Sequence, residues 1–366
     1  MSSDIASTLP KTAAVFEEGR RRGLHLGAQL YVSLGGAEVV RAAFGARRDG
    51  EAMTTDTLPL WLSSGKPFTA IAVARLWEHG KVDLDAPVAS YLPEFGVLGK
   101  SAVTLRHLLT HTGGFRIADE LPEGLGWCEM VEAICRTPLD PGWIPGNTAA
   151  YQPRASWYVL AEIVQRLDGR AFAHYLREEV LKPLSLSDTW IAIPAEEFRR
   201  YGARIGATFS TLRGLPVPHP TWDTEALCGT CRPGGSLRGP AAEVGRFYEA
   251  LLDGGRGVVR PETVQEFTRP HRVGMFDRTF RHTIDFGLGF LVNSNRHGWD
   301  TVPYGYGRHA SDRAYGHSGA QSSCAFADPD RGLVVAWACN GLPGEPRHQE
   351  RQRAIHTALY EDLGLG

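Results

Sequence analysis

Two pairs of apolar, β-rich runs near opposite ends of the chain constrain its fold most strongly. Residues 27–34 and 37–44 are separated by two glycines, which favour a hairpin turn. Residues 323–327 and 333–339 are separated by a short segment rich in Asp, Pro and Gly, which predicts a second hairpin. The stretch between the two pairs carries helical periodicity and loops. We therefore predict an α+β fold in which an antiparallel sheet joins both ends of the chain and is flanked by helices, with a helical lobe inserted.

A chain of 366 residues is long enough for two ordinary domains. We expect residues 1–85 and 200–366 to form a discontinuous α/β sheet domain, residues 86–199 to form a mainly helical lobe, and the active site to lie between them. Residues 206–235 and 292–315 are rich in Gly, Pro and aromatic residues, as is typical of lids or pocket walls. The segments with helical periodicity are residues 8–22, 68–79, 104–109, 157–167, 171–181 and 347–363.

Composition and charge argue against several classes of partner. The formal net charge is −2, and the basic run Arg20-Arg21-Arg22 is typical of a solvated helix end, so no nucleic-acid partner is expected. The first eleven residues are polar, which predicts no secretory signal. No run approaches the length of a membrane span, so no membrane partner is expected and we predict a cytoplasmic protein. Nothing in the composition indicates the oligomeric state.

Six cysteines in a chain of this length predict mostly reduced, buried thiols. Cys228 and Cys231 have C-x-x-C spacing, but a zinc site needs two further ligands and a redox motif belongs on a strand-to-helix turn. Their proline-containing flanks are loop-like. We therefore interpret them first as inert thiols, and we expect neither a metal nor a cofactor.

Ser63 and Lys66 stand three positions apart where a helical segment begins. On a helix, side chains at this spacing share a face, so the Lys66 ammonium can reach the Ser63 hydroxyl. A serine needs a neighbouring base to become a nucleophile, and a lysine provides one when desolvation or nearby positive charge lowers its pKa. From this spacing alone, a capping serine beside a solvated lysine remains an alternative.

Two further segments complete a possible catalytic set. Tyr151 follows a Pro-Gly turn; beside a cationic lysine its phenol would ionise more easily and relay a proton, although a buried structural tyrosine is the alternative. Glycines around His317 would let a ligand lie along a strand edge. A backbone N–H after Gly319 can pair with that of Ser63 as an oxyanion hole. We expect His317 to line the pocket as a hydrogen-bond donor or, at mildly acidic pH, as a positive charge, with a structural histidine as the alternative.

In this order, these segments resemble the serine β-lactamase superfamily, specifically its class C β-lactamase and esterase-type branch. The resemblance extends over nearly the whole chain and implies a β-lactamase and penicillin-binding-protein-like fold. It rests on residues 61–70, Leu105-Arg106-His107-Leu108-Leu109-Thr110-His111-Thr112-Gly113-Gly114, Pro145-Gly146 before Tyr151, Phe286-Gly287-Leu288-Gly289-Phe290 and Gly316-His317-Ser318-Gly319.

The resemblance implies a role for each matching residue. Ser63 would be the acylated nucleophile, Lys66 its activating partner and Tyr151 the proton relay. The backbone amides of Ser63 and Ala320 would form the oxyanion hole. His111, by contrast, resembles part of a structural turn and is left outside the site. The residues expected to bind or shield the substrate are Gln152, His317, Ser318, Gly319 and Trp222.

Two departures from the family pattern bear on the substrate. Gln152 and Pro153 stand where the family often has serine and asparagine, and His317 stands where its β-lactamases commonly have lysine. A hydrogen-bond donor and a permanent cation are lost, which argues against β-lactam and cell-wall substrates. We predict a serine hydrolase or acyltransferase for a small-molecule ester or amide, in the first place a carboxylesterase. The alternatives are a transacylase with an amine or alcohol acceptor, a β-lactamase or D-amino-acid peptidase, and a catalytically silent binding protein.

Overall fold

The computed structural model describes residues 5–48, 50–122 and 124–366. Within these ranges the strands are β1 (Gly27–Leu34), β2 (Ala37–Arg48), β3 (Glu51–Ala52), β4 (Phe209–Ser210), β5 (Val217–Pro218), β6 (Phe276–Asp277), β7 (His282–Thr283), β8 (Leu291–Val292), β9 (Tyr315–Gly319), β10 (Ser323–Asp328), β11 (Leu333–Cys339) and β12 (Gly341–Leu342). The helices are α1 (Ile5–Thr8), α2 (Pro10–Arg21), α3 (Lys66–Glu78), α4 (Leu105–Leu109), α5 (Trp127–Cys135), α6 (Ala155–Asp168), α7 (Phe172–Leu176), α8 (Ala195–Tyr201), α9 (Glu225–Cys228), α10 (Ala241–Leu252), α11 (Pro261–Thr268) and α12 (Glu345–Asp362).

One antiparallel sheet joins the two ends of the chain. Its strand order is β3-β2-β1-β11-β10-β9-β8, and the N-terminal and C-terminal strands meet where β1 pairs with β11. The bounds of β1 and β11 are those predicted from the sequence, whereas β2 continues beyond the predicted Phe44 to Arg48. The predicted α+β arrangement, with an antiparallel sheet flanked by helices, is confirmed.

Both faces of the sheet are covered by helices. Val334 and Ala336 of β11 pack into the core on the α10 side, and Val335 and Trp337 pack into the core on the α2 and α12 side. Trp337 also donates its indole N–H to Nε2 of His356 on α12, at 2.8 Å. Because side chains alternate along a strand, two covered faces require the continuous apolar run that the sequence has here.

Helix α3 connects the sheet core with the helical part of the chain. Phe68 on α3 stacks against Phe247 on α10 at a ring-centroid distance of 3.8 Å, and α3 also packs against α6. The same apolar core contains Ala336 of the sheet together with Leu160 of α6 and Leu176 of α7. The position of α3 is therefore fixed from both sides. The division into residues 1–85 with 200–366 and residues 86–199 stays a prediction.

Some predicted elements differ from those observed. The helix expected over residues 171–181 ends at Leu176 and continues as one π-helical turn, Arg177–Leu181. The segment 206–235 holds only the short elements β4, β5 and α9, and the segment 292–315 holds a 3₁₀ turn at Asn295–His297 between long loops. No helix in the described part of the chain is both long enough and apolar enough to cross a membrane.

Candidate active site

The candidate nucleophile stands in a 3₁₀ turn, Leu62–Gly65, that leads directly into α3. Residues three apart are eclipsed in such a turn, and Nζ of Lys66 donates to Oγ of Ser63 at 2.9 Å. Gly65 is required here, because a Cβ at this position would lie 2.6 Å from Cβ of Leu237. The structure thus brings Ser63 and Lys66 together, through a 3₁₀ turn rather than an α-helix.

Lys66 is completely buried, so the alternative of a solvated lysine is wrong. Its Nζ also donates to the carbonyl oxygens of Pro153, at 2.9 Å, and Gly234, at 2.6 Å, and lies 5.3 Å from the ring centroid of Trp157. Burial lowers the pKa of Lys66 from its ordinary value to about 7, and the negative charge of Asp119 partly opposes this shift. A lysine with this pKa can accept a proton at neutral pH.

Tyr151 contacts the same serine. Its hydroxyl hydrogen-bonds to Ser63, and Nζ of Lys66 lies 5.4 Å from its ring centroid. Burial raises the pKa of Tyr151, and the hydrogen bond with Ser63 opposes this only in part. The expectation that this phenol ionises more easily is therefore wrong: desolvation outweighs the field of a lysine that is itself partly neutral.

A short turn after β6 holds the backbone of Tyr151. Oδ1 of Asp277 accepts the Tyr151 N–H at 3.1 Å, and the hydroxyl of Thr279 donates to the Tyr151 carbonyl at 2.9 Å. Asp277 is fully buried and forms an ion pair with Arg272 at 3.0 Å. The ring of Phe280, from the same turn, lies over the tyrosine ring at 4.7 Å. The backbone N–H and the carbonyl of Tyr151 are therefore both fixed by a segment more than a hundred residues further along the chain.

The end of β9 packs directly against the nucleophile turn. A Cβ on Gly319 would lie 2.2 Å from the carbonyl oxygen of Trp61, so only glycine permits this approach. Ala320, which is exposed, directly follows Gly319 at this junction. Two backbone N–H groups from separate segments, side by side, are what an oxyanion hole needs. This role of Ser63 and Ala320 stays a prediction.

His317 is buried and neutral. Its Nδ1–H donates to the Ser318 carbonyl at 2.8 Å, and burial, with a contribution from Lys66, lowers its pKa to about 3. Nε2 is then an acceptor, and it has no hydrogen-bond partner among the residues that the structure describes. The ring lies 6.0 Å from that of Tyr151. His317 is close to the site as expected, but the expected donor or positive charge at mildly acidic pH is wrong.

Gln152 presents an amide donor. Its backbone N–H donates to Nδ1 of His111 at 3.1 Å, and its side-chain Oε1 accepts from the Ser156 hydroxyl at 2.9 Å. Nε2 is buried without a hydrogen-bond partner in the described part of the chain. The side chain is thus oriented by its oxygen, and its N–H₂ group remains available. Substrate binding by Gln152 stays a prediction.

Two predicted substrate-binding residues are not brought into the site. The hydroxyl of Ser318 accepts from Nε2 of Gln352 on α12 at 3.0 Å, on the other side of β9 from His317. Trp222 stacks on His219 at 3.9 Å, and its carbonyl accepts from Arg238. Within the described residues, no hydrogen bond or ring contact links Trp222 to the nucleophile, the lysine or the tyrosine. Ser318 differs from the prediction because side chains alternate along a strand. Trp222 differs because its position depends on the path of a long loop.

Sequence reasoning missed several residues around the site. Oδ1 of Asp119 accepts the N–H groups of Arg154 and Ala155, at 2.9 and 2.8 Å, and so caps α6 beside Lys66. Asp119 lies in a short 3₁₀ turn, Arg116–Glu120, and Asp277 ends the two-residue strand β6; elements this short carry no hydrophobic periodicity. No signal in the sequence identifies either carboxylate, because each acts through contacts with distant segments. The residues around the site that were not predicted also include Phe280, Tyr304 and His111.

The cysteines lie apart from this chemistry. All six are free thiols, and burial raises the pKa of Cys231 to about 12 and also raises that of Cys228. A raised pKa disfavours the reactive thiolate. Among the described residues, no three His, Cys, Asp or Glu side chains are grouped as a metal site would require.

Fold and site together are those of a serine hydrolase. The chain belongs to the beta-lactamase family, whose model matches residues 12–360. It is similar to penicillin-binding protein 4 of Amycolatopsis lactamdurans, with 30% identity over 87% of this chain and 78% of the relative. It is also similar to esterase EstB of Burkholderia gladioli, with 28% identity over 93% of this chain and 92% of the relative.

A solved structure extends the likeness to the fold. A penicillin-binding protein homologue from Caulobacter crescentus superposes with a TM-score of 0.79 and 26% identity, over 99% of this chain and 98% of that chain. The family resemblance and the fold predicted from the sequence motifs are thereby confirmed.

Proposed function

We propose that this protein is a carboxylesterase that forms an acyl-enzyme on Ser63 from a small-molecule ester. The observation that carries the proposal is the buried Lys66, with a pKa of about 7 and its Nζ 2.9 Å from Oγ of Ser63. Such a lysine supplies the base that a serine nucleophile needs. The similarity to an esterase over nearly the full length of both chains supports this choice of bond.

The positions of Ser63, Lys66 and Tyr151 allow the following acylation step. Neutral Lys66 accepts the hydroxyl proton while Oγ of Ser63 attacks the ester carbonyl carbon, and the carbonyl electrons move to oxygen. The N–H groups of Ser63 and Ala320 stabilise this oxyanion. When the carbon–oxygen bond to the alcohol breaks, the leaving oxygen takes a proton that the Tyr151 hydroxyl relays from the Lys66 ammonium. An alcohol leaves, and Ser63 carries the acyl group.

Deacylation repeats the same proton transfers with water as the nucleophile and releases a carboxylic acid. Tyr151 acts here as a neutral phenol that gives one proton and receives another, because its pKa is raised by burial. Proton transfer by a positioned side chain accelerates such steps by about 10²- to 10⁴-fold.

Two features favour simple esters over β-lactams. His317 is neutral, with a pKa of about 3, so it offers no positive charge to the carboxylate of a β-lactam. Pro153 lacks an N–H, and its carbonyl is already engaged by Lys66.

Transfer to an alcohol or amine is the second candidate, in which such an acceptor takes the place of water. The observation that favours it is the shielding of Tyr151, which is 8% exposed beneath the ring of Phe280. Exclusion of water from the acyl-enzyme favours transfer over hydrolysis.

The test combines turnover with intact mass. Wild-type protein should cleave p-nitrophenyl butyrate and gain the mass of one butyryl group. Ser63→Ala should lose both signals, and Ser64→Ala, one residue away, should still form the adduct. Tyr151→Phe should lower kcat/KM by about 10²-fold or more. Absence of turnover and of any adduct in the wild type would leave a silent binding protein as the better description.

A second arm identifies the acceptor. The ester is supplied with and without a panel of small alcohols and amines, and the products are separated. Release of butyrate at a rate independent of the acceptor supports the esterase. Faster turnover with a new conjugate supports the transacylase.

A further inference from the structure

A wall of aromatic rings leads from Tyr151 to a carboxylate at the beginning of α12. The ring of Phe280 lies 4.7 Å from that of Tyr151 and 5.6 Å from that of Tyr304, which it meets edge-on. The Tyr304 hydroxyl donates to Oε2 of Glu345 at 2.7 Å. We call Phe280, Tyr304 and Glu345 the aromatic–carboxylate wall.

The Glu345 carboxylate is half-buried and lacks a basic partner. No lysine, arginine or histidine nitrogen of the described chain lies within 4.0 Å of it. Two other acids along the same helix do have basic partners: Glu350 pairs with Arg22 at 3.2 Å, and Glu361 pairs with Lys11 at 2.7 Å. A carboxylate withdrawn from water without a counter-ion costs free energy that a bound cation can recover.

The wall is held in place before any ligand binds. Oε1 of Gln349 accepts the Tyr304 N–H at 2.7 Å, and Nε2 of the same side chain donates to Oε2 of Glu345 at 3.3 Å. Tyr304 has φ of +60°, a conformation that costs free energy for a non-glycine residue and persists only where its surroundings impose it. Strain of this kind is concentrated at sites that bind ligands.

The chemistry of the wall selects positive charge. Aromatic faces attract an ammonium group through their quadrupole, and a carboxylate adds direct charge attraction. A neutral substrate would bury the Glu345 charge further without compensation. The 18-residue helix that begins at Glu345 also directs its N-terminal dipole, which favours negative charge, towards this carboxylate.

We propose that the aromatic–carboxylate wall binds the ammonium group of a cationic substrate, so that the preferred acyl donors are esters or amides carrying a positively charged amine. The inference rests on the proposed function, because it places the wall beside the acyl-enzyme that Ser63 would form. It adds a substrate class to the ester chemistry. The ammonium can belong to the acyl group or to the leaving alcohol, and the experiment separates the two.

The acyl arm uses pairs of esters matched in shape. The p-nitrophenyl ester of β-alanine is compared with the neutral butyrate ester. That of 6-aminohexanoic acid is compared with the neutral heptanoate ester. The alcohol arm compares acetylcholine with 3,3-dimethylbutyl acetate, which has the same shape without the charge. In each arm the readout is the ratio of kcat/KM for the cationic ester to that for the neutral one. Comparing this ratio between variants cancels the intrinsic reactivity of the esters.

Glu345→Gln should lower the cationic-to-neutral ratio at least about tenfold, as loss of one charge-assisted contact implies, in whichever arm reaches the wall. Its kcat/KM for the neutral ester should stay within about twofold of wild type. Glu350→Gln, five residues along the same helix, should leave both values unchanged. Tyr304→Phe should lower the ratio by a smaller factor, because Glu345 loses the hydroxyl that orients it.

A ratio that Glu345→Gln leaves unchanged in both arms, while neutral esters are still hydrolysed, overturns the inference and leaves the esterase proposal standing. Loss of neutral-ester turnover in Glu345→Gln also overturns it, since the residue would then support the site rather than select the substrate. Absence of turnover in the wild type with all of these esters, cationic and neutral, overturns the proposed function and this inference together.

Discussion

Burial sets the chemistry of each residue in this site. Lys66 is surrounded by carbonyl oxygens and aromatic rings, and its pKa falls to about 7 because the charged form is desolvated. The same burial raises the pKa of Tyr151, whose charged form is the anion. The lysine is therefore the base at neutral pH, and the tyrosine carries protons without ionising.

The pH dependence of acylation should report the lysine. The burst of p-nitrophenol in stopped-flow measurements should rise as pH increases through about 7, because only neutral Lys66 accepts the serine proton. Asp119→Asn should move this rise to lower pH, since the negative charge that favours the ammonium is removed. The asparagine oxygen can still cap α6. Asp253→Asn, an exposed surface carboxylate, should leave the profile in place; a shift of equal size there would contradict the assignment.

Lys66 should also make stability depend on pH. Its pKa is about 7 in the folded protein and about 10.5 in the unfolded chain, so between these values the unfolded state binds the extra proton. Stability therefore rises with pH in this window and is lost as pH falls towards 7. Relative to Lys66→Met, the free energy of unfolding of wild type in urea should rise by about 2 kcal/mol from pH 7.5 to 9.5. A difference between the two proteins that is independent of pH would contradict the lowered pKa.

At the scale of single residues, the sequence predicts which residues form the site better than it predicts their protonation states. Local sequence patterns identify Ser63, Lys66 and Tyr151: the three-residue spacing of the first two and the Pro-Gly turn before the third. The structure brings these three residues together. The ionisation of Tyr151 and the charge of His317 were predicted wrongly. Both depend on how completely distant segments exclude water, which no local pattern records.

Among the elements, the turn after β6 determines the position of Tyr151. Asp277 and Thr279 bind the N–H and the carbonyl of this residue, and Phe280 covers its ring. The strands that flank the turn, β6 and β7, are two residues long each. Strands this short give no alternating pattern, so the sequence did not indicate them. The longer strands β1 and β11 were predicted to the residue because each carries seven or eight apolar-rich positions.

Thr279→Val tests the turn with little change in shape. Loss of the hydrogen bond to the Tyr151 carbonyl should lower the free energy of unfolding by about 1 kcal/mol. It should also lower kcat for p-nitrophenyl butyrate several-fold with KM nearly unchanged, because the displaced tyrosine acts in the transition state. Thr268→Val removes a similar hydroxyl-to-carbonyl bond in α11, away from the site. It should cost similar stability without a change in kcat; equal losses of kcat in both variants would contradict a positioning role.

At the scale of the whole molecule, the site depends on the pairing of N-terminal and C-terminal strands in one sheet. The pairing of β1 with β11 orders the C-terminal strands, and β9 then meets the 3₁₀ turn that carries Ser63. The terminal hairpins predicted this closure from the sequence. The loops 206–235 and 292–315 could not be placed in the same way, since their paths depend on contacts such as Trp222 with Arg238 rather than on periodicity.

The junction of β9 with the nucleophile turn is closest at Gly319. A methyl group there would lie 2.2 Å from the Trp61 carbonyl and 2.3 Å from the Ser323 hydroxyl, so the strand and the turn must separate. Separation displaces the Ala320 N–H from the oxyanion, and loss of one such donor costs about 10²- to 10³-fold in kcat. Gly319→Ala should therefore lose activity on this scale while still unfolding cooperatively. Gly235→Ala, where a methyl group meets nothing within 4 Å, should keep kcat within about twofold of wild type. Full activity of Gly319→Ala would show that this contact does not set the oxyanion hole.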